Sequence, residues 1–459
     1  MRGIRPVMLL AFALRAGLPL LAFLSTGDRM VFHSLDTDGY TGLASSLVQT
    51  GRFTLGGLPE IIRTPGYPML LVLGTLLGSV ETVAVALQVA LSCATVYLVY
   101  LIGLRLFGSG RTATIGALLY AIEPLSLLFT SKLLTETLFT ALTTLFLYFL
   151  LRYLDGRSLP ALAAAALTLA GTAFVRPIIY YFPILAALLL LWAAGRRGRR
   201  QIPAGIASAG LFLLLSVGPL ALWQARNAAE TGYSGFAAIS DINWYFYQGA
   251  SVAAAKQHVP YYTVQAAWGY SDPAVYDRAH PEQHGWSDAQ IYDYMGSEGR
   301  RIVLQNLPTY APIHVIGMLK TLLNPGGVEY LKLFDAYPAA GGDFGVAVNA
   351  GLGESLGYLW RENRLLLILD LGFGALLVVY LLAALTALIA RANWNLRVAS
   401  LFALGLYLLV MSGGPQSLSR FRHPIMPLIC VLAGYGIAVW LRRLRNAAPR
   451  RTPEHTVLQ

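Results

Sequence analysis

Two carboxylates, Asp36 and Asp38, stand in a polar stretch about a dozen residues after an apolar run, in His33-Ser34-Leu35-Asp36-Thr37-Asp38-Gly39-Tyr40. A carboxylate held beside a hydroxyl can take its proton, the general-base step of many group transfers. The same stretch continues through Glu60 and Arg63. A further acid, Glu136, heads an apolar run, with Lys132 just before it. A carboxylate entering an apolar helix is costly unless paired or functional, although a helix N-terminus favours it through the dipole. More cations stand at Arg226, beside Asn227, and in Ser419-Arg420-Phe421-Arg422-His423-Pro424. Arginine's planar fork pairs two oxygens of an anion at once. These residues offer a base and a grip for an anionic group. Cys93 and Cys430 lie inside apolar runs and form neither a metal-ligand spacing nor a disulfide framework.

The elements that position these residues are membrane spans. Of 459 residues, 56% are apolar by the AVILMFWYC count and only 12% are charged. Soluble domains carry roughly 25% charged residues. This composition excludes a soluble enzyme, a disordered chain and a coiled coil, and predicts an all-α polytopic membrane protein. Apolar runs at 7–24, 82–104, 112–130, 133–151, 159–175, 178–194, 202–223, 364–390, 398–412 and 424–441 predict about ten transmembrane helices. The run at 66–78 begins Pro65-Gly66-Tyr67-Pro68, is too short to span alone, and reads as a juxtamembrane helix or a continuation of the span at 82–104. The first run contains Arg15, lacks a clear cleavage site, and reads as an uncleaved span.

The net charge is +11, but the arginines fall in loops between apolar runs, near 105–111, 152–157, 196–200, 391–397 and 442–451, and at Arg2 and Arg5. The positive-inside rule puts these loops and both termini in the cytoplasm. The charge is thereby assigned to topology, and no nucleic-acid partner is expected. The expected organisation is a transmembrane module at 1–224 with an outer loop at 25–65, an extracytoplasmic region at 225–363 with an interfacial helix at 312–323, transmembrane helices at 364–445, and a cytoplasmic tail at 446–459. A helix over 39–49 would lay Tyr40, Leu43 and Leu47 on the bilayer and hold Asp36 and Asp38 at its N-terminus, near the headgroups. Arg420 and Arg422 fall on the outer side, against the positive-inside rule. Unless they only snorkel to headgroups, they point to an anionic partner there.

These segments resemble the polyprenyl-phosphate-dependent glycosyltransferases of the GT-C superfamily, relatives of the protein O-mannosyltransferases and the lipid A aminoarabinose transferases. In that family an Asp stands four residues before an aromatic, followed by a helix, a Gly-x-aromatic and a proline-rich helix start. Asp36 and Tyr40, then Gly51-Arg52-Phe53, then Thr64-Pro65-Gly66-Tyr67-Pro68 occur in that order. The family often has Glu directly after its Asp; here Thr37 holds that place and Asp38 follows. Glu136 matches an acidic position of the second outward loop. Pro219-Leu220-Ala221-Leu222-Trp223-Gln224-Ala225-Arg226-Asn227 resembles a proline-tryptophan-arginine-asparagine exit, and Arg420-Phe421-Arg422-His423-Pro424 resembles an Arg-aromatic-Arg-x-Pro run. The motifs bracket most of the chain, while 250–410 adds little.

The resemblance implies a multi-pass transferase of the cell (inner) membrane. It would move a hexose or pentose from a polyprenyl-phosphate-linked donor to a glycan, lipid or protein acceptor on the extracytoplasmic side, with inversion. The leaving phosphate is already a stable anion, so charge stabilisation matters more than protonation, and one base suffices. Asp36 is expected as that base, with Asp38 beside it. Arg63, Lys132, Arg420 and Arg422 are expected at the donor phosphate. Glu60, Glu136, Tyr40, Arg226, Asn227 and His423 are expected to bind substrate or support a metal. The resemblance fixes no cofactor and leaves open a divalent cation, Mg or Mn, that would bridge Asp36, Asp38 or Glu136 to the phosphate, as in some relatives, while others need none. Two other readings share this composition: a transporter or flippase of lipid-linked sugars, and a glycan ligase or polymerase. No inverted repeat with paired broken helices supports the transporter.

Overall fold

The computed structural model describes residues 3–337, 357 and 359–447. Most of the predicted tail, and part of the predicted outer region, lie outside the described residues. The chain is helical throughout, apart from one small ribbon among the described residues. It opens with α1 (Ile4–Thr26), α2 (Thr37–Thr50), the antiparallel strands β1 (Thr54–Leu55) and β2 (Leu58–Pro59), and α3 (Gly66–Leu76). Then come α4 (Val80–Phe107), α5 (Gly110–Ala121), α6 (Pro124–Leu128), α7 (Glu136–Gly156), α8 (Leu159–Val175), α9 (Phe182–Arg196) and α10 (Ile202–Thr231).

A region of short helices follows: α11 (Ile239–Asn243), a π-helical turn at Trp244–Gly249, α12 (Ala250–Gln257), α13 (Tyr261–Ala267) and α14 (Pro273–Ala279). It ends with α15 (Asp288–Gln305), α16 (Leu307–Leu323) and α17 (Gly327–Leu333). The chain closes with α18 (Arg364–Ile389), α19 (Leu396–Met411), a 3₁₀ segment at Ser419–Ile425 and α20 (Met426–Ala447).

Seven helical units are long and apolar enough to cross a bilayer: α1, α4, α7, the unit ending in α9, the unit containing α10, α18 and the unit containing α20. Apolar α3, α8 and α19 are shorter. The chain is a multi-pass membrane protein, as its composition predicts. α7 and α20 are the most enclosed of the seven, while α1 presents Leu9, Phe12, Leu20 and Leu21 outward. Such leucine faces need no protein partner in lipid.

The predicted single span at 112–130 is two helices. Pro124 has no N–H to continue a ladder and disfavours helical backbone before it. Both ends left by the break are capped. The Glu123 carboxylate accepts from the Leu125 and Ser126 N–H groups at 3.2 and 2.6 Å. Arg15 reaches across from α1 and donates to the Ala121 and Tyr120 carbonyls at 2.8 and 3.0 Å, and to Ser92 Oγ at 2.7 Å. The arginine inside the first span is therefore a helix cap. Exposed helix-end carbonyls are expensive in a membrane protein's interior, and a guanidinium satisfies several at once.

Charge divides the bundle's ends. At one, Arg105 and Arg397 both pair with Asp155 at 2.7 Å, joining the C-termini of α4 and α7 to the start of α19. Helix direction then puts the segments at 27–65, 129–135, 176–177 and 412–423, with the short-helix region, at the other end.

Candidate active site

The segment before α2 is sewn to the segment before α7. Thr37 Oγ1 accepts from Ser34 N–H at 2.9 Å and donates to the Leu133 carbonyl at 3.1 Å. Leu133 N–H donates to the Phe32 carbonyl at 2.9 Å, and Lys132 Nζ to the Val31 carbonyl at 2.6 Å. From below, Gln88 Nε2 donates to the Thr130 and Lys132 carbonyls at 3.0 and 2.9 Å, and Tyr67 holds Gln88 in turn at 2.9 Å. These bonds bring Asp36 and Glu136, a hundred residues apart, to one place. Thr37, where the family often has Glu, is one of the stitches.

Two arginines complete the group. Arg420 Nη1 stands 3.3 Å from Asp36 Oδ2, and its Nε 3.7 Å from Glu136 Oε1. Arg176 Nη1 donates to the same Glu136 oxygen at 3.1 Å. The ring of Phe421 lies under both guanidinium groups, 5.4 Å from Arg176 and 5.2 Å from Arg420. The Glu136 side chain is only 2% exposed, whereas those of Asp36 and Arg420 are 42% and 26% exposed. The cluster thus has a buried anchor and an open edge. Glu136 Oε2 and Arg420 Nε have no hydrogen-bond partner among the described residues. Buried polar atoms are nearly always paired, so the cluster has donor and acceptor capacity in hand.

Tyr40 extends it. Its ring meets Tyr67 edge-on at 5.2 Å and lies under Arg63 at 5.8 Å. Burial first, and the Asp36 carboxylate next, push its phenol up to about 12. Arg63 crosses α2 at Gly39, where any Cβ would stand 2.6 Å from its guanidinium carbon. Gly51 ends α2 in the left-handed region (φ 67°), where the Gly-x-aromatic motif places it.

Other expected residues serve elsewhere. Arg422 is buried and donates through Nη1 to the Thr321, Leu322 and Asn324 carbonyls at 3.4, 3.0 and 2.6 Å, capping α16. Lys132 is buried on the Val31 carbonyl, and burial pushes its ammonium down to about 8. Glu60 accepts from the Ile62 and Arg63 N–H groups at 2.6 and 2.8 Å, shaping a turn. Arg226 donates to the Glu60 and Phe53 carbonyls at 2.9 and 3.1 Å and pairs with Glu230 at 2.7 Å. Asn227 donates to the Gly235 and Phe236 carbonyls at 3.1 and 3.2 Å. His423 is buried with Nδ1 3.0 Å from Thr140 Oγ1, beneath the cluster. Asp38 is 89% exposed and faces His33 Nδ1 at 3.7 Å, whose Nε2 meets Glu81 at 3.2 Å.

Arg176 is the residue that sequence reasoning passed over. Its signal was present: the span alternation puts it outside, between two apolar runs, as anomalous as Arg420.

Among the described residues no three His, Cys, Asp or Glu side chains gather as metal ligands. The guanidinium of Arg420 stands 3.3 Å from Asp36 and 3.7 Å from Glu136, so these two carboxylates share one cation of the chain itself.

Residues 63–223 match the family described as dolichyl-phosphate-mannose-protein mannosyltransferase. No curated protein matches the chain. In structure the chain is similar to the oligosaccharyltransferase of Archaeoglobus fulgidus. Its apo form aligns with a TM-score of 0.52 at 14% identity, over 97% of this chain and 52% of that one. Its complex with Zn and sulfate aligns with a TM-score of 0.50 at 13% identity, over 96% and 50%. ArnT from Cupriavidus metallidurans bound to undecaprenyl phosphate aligns with a TM-score of 0.37 at 13% identity, over 96% of this chain and 81% of that one. The chain spans about half the length of the oligosaccharyltransferases it matches. The family match over residues 63–223 and the shared fold agree with the resemblance its motifs carry: the chain is a polytopic membrane protein, similar over that region to this glycosyltransferase family.

Proposed function

We propose that this protein transfers a sugar from a polyprenyl-phosphate donor to an acceptor hydroxyl at the extracytoplasmic face of the membrane, inverting the anomeric carbon, with Asp36 as general base. The observation that carries the reading is the meeting of Asp36, Glu136, Arg176 and Arg420, from four distant segments, at one half-open edge of the bundle. The matched family's description, naming a dolichyl-phosphate sugar, supports the donor class. The arginine-paired end around Asp155 supports placing the opposite end outside.

The chemistry follows from charge. As the acceptor oxygen bonds to the anomeric carbon, the bond to the phosphate oxygen breaks, and the departing polyprenyl phosphate gains a negative charge. Arginines fixed beside that oxygen favour the transition state over the bound donor. Arg420 and Arg176 are the guanidinium groups at the cluster's edge, and buried Glu136 holds both in place. Arg63 stands nearby over Tyr40. Arg422 and Lys132 leave the list of phosphate ligands, since each is buried on backbone carbonyls. The proton of the acceptor hydroxyl passes to Asp36, on the face of the sugar away from the phosphate. A donor phosphate offers Arg420 two oxygens where Asp36 gives it a single contact, so donor binding frees the carboxylate to act as base. No metal enters this scheme.

Turnover of a polyprenyl-phosphate sugar by Asp36→Asn, beside Asp38→Asn, tests it. Loss of a general base lowers kcat by about 10²–10⁴-fold, and Asp38→Asn should stay within a few-fold of the parent. Activity retained by Asp36→Asn overturns the assignment.

A further inference from the structure

The short-helix region holds a second feature, separate from the charged cluster. A cavity of about 290 Å³ opens among Tyr245, Trp268, His280, Tyr294, Glu298 and Ile302. Its size is near the lower end of the ~300–1,000 Å³ range of ligand clefts. The rings form one continuous wall. Tyr245 lies against Trp268 at 4.8 Å with planes 36° apart, and against Tyr294 at 6.4 Å. His280 meets Tyr294 at 5.4 Å. Polar tips rim the wall: Tyr245 Oη is 3.0 Å from His280 Nε2, and His280 Nδ1 is 3.1 Å from Glu282 Oε1. Glu298 is gripped by Arg301, Nε to Oε2 at 2.7 Å and Nη2 to Oε1 at 2.5 Å.

The wall is held firmly. Tyr245 belongs to the π-helical turn, a feature that frequently marks functional sites. α15 presses against that turn at Gly299, where a Cβ would stand 2.3 Å from the Trp244 carbonyl carbon. One turn earlier Gly296 leaves room for Asp241, which Arg300 and Tyr233 hold at 3.0 and 2.5 Å. The short-helix region that holds the cavity lies at the same end of the bundle as the charged cluster.

The lining selects among ligand chemistries. A cation needs an open ring face and, in a dry pocket, an unpaired acid, but these rings pack on one another, and the Glu298 charge is already neutralised by Arg301. An anion would meet Glu282 and Glu298. A pyranose ring has an apolar C–H face that packs on an aromatic wall, and hydroxyl groups that seek carboxylate, guanidinium, imidazole and phenol partners at its edge. We propose that this cavity is a carbohydrate subsite that holds one sugar ring of the acceptor, at the same end of the bundle as the transfer site. The acceptor role rests on the transferase reading above, while sugar binding itself does not.

Saturation-transfer NMR on the full-length protein in detergent tests it, with a panel of methyl hexopyranosides and methyl pentopyranosides as probes. At least one glycoside should bind, and Tyr294→Ala should weaken it about tenfold or more. Ala279→Trp, which fills the cavity from a lining position and leaves the wall in place, should do the same if Tyr294→Ala fails to fold. Asp36→Asn should bind the glycoside like the parent. Absence of binding, or binding that neither cavity variant weakens, overturns the subsite and leaves the transferase reading standing. Displacement of the bound sugar by tetramethylammonium also overturns it, in favour of a cation cage. Sugar binding at the cavity in a protein that turns over no polyprenyl-phosphate sugar would keep the subsite and sink the transferase reading instead.

Discussion

Replacing Arg420 by lysine separates a ligand-gripping arginine from a headgroup anchor. In the folded protein its fork spans two acids, with Nη1 3.3 Å from Asp36 and Nε 3.7 Å from Glu136. Lysine keeps the charge and reaches one acid, not both. Asp36 and Arg420 are both partly exposed, and such pairs contribute about 0–1 kcal/mol. Glu136 keeps Arg176 at 3.1 Å. The midpoint of thermal unfolding should therefore change little. The donor phosphate is affected differently. A guanidinium gives it two parallel charge-assisted bonds, each contributing roughly 1.5–3 kcal/mol, and an ammonium recovers one. The net loss is at least ~1.4 kcal/mol, a tenfold fall in kcat/KM for the donor. Steady-state kinetics with a polyprenyl-phosphate sugar, beside thermal melts in the same detergent, decides it. Equal kinetics for Arg420→Lys and the parent would refute the role and leave Arg176 and Arg63 as the phosphate ligands. A matching collapse of melting temperature and kcat/KM would assign Arg420 to the scaffold.

The remaining predictions concern scaffold, protonation and topology. Arg422→Gln should lower stability by at least the ~1.5–3 kcal/mol of one charged hydrogen bond, seen as an earlier melt, while turnover per folded molecule is preserved; preserved stability with lost donor use would return Arg422 to the site. Lys132 is pushed down to about 8 in the folded protein, by burial and then by Lys332, against the pull of Glu329, while the unfolded chain holds it at about 10.4. Between those values the unfolded state binds more protons, so this group makes stability rise with pH from about 8 to 10. The rise should be missing from Lys132→Met, read as the difference between the two melting profiles. In a background lacking Cys93 and Cys430, a membrane-impermeant maleimide applied from outside should label a cysteine at position 287 and miss one at 198. The reverse pattern would invert the assigned sidedness.

Hydropathy made the spans legible because lipid imposes one requirement on every residue of a crossing helix. α2 was legible for a local reason: apolar spacing from Tyr40 to Leu47 leads to a glycine that closes the helix in the left-handed region. The break at residues 122–123 was written in Glu123-Pro124, but the apolar residues on both sides hid it, since hydropathy averages over a window and a helix cap is a single bond. The membership of Asp36, Glu136 and Arg420 in one end of the bundle was readable; their contact was not, because Thr37, Leu133 and Gln88 make it through bonds between distant segments. Arg176 was missed although the reasoning that singled out Arg420 applied to it unchanged. The aromatic wall around Tyr245 was illegible, because its rings come from four separate segments with no common period.

What separates the site from its scaffold is the partner each cation meets rather than the kind of cation. Arg15, Arg226 and Arg422 end on backbone carbonyls, and moving any of them would uncap a helix or free a loop in the interior. Their positions are fixed by the fold, so they can neither approach a substrate nor follow its changing charge. Arg420 ends on a half-exposed carboxylate, and Arg176 on a buried one that also faces Arg420. A carboxylate and a phosphate present the same pair of oxygens to a guanidinium fork. Arg420 can therefore exchange one for the other without opening a helix, while Glu136 keeps it in register. On the proposed reading the bundle uses one residue type both to seal its broken helices and to hold a ligand, and the acceptor at the end of the fork decides which is which.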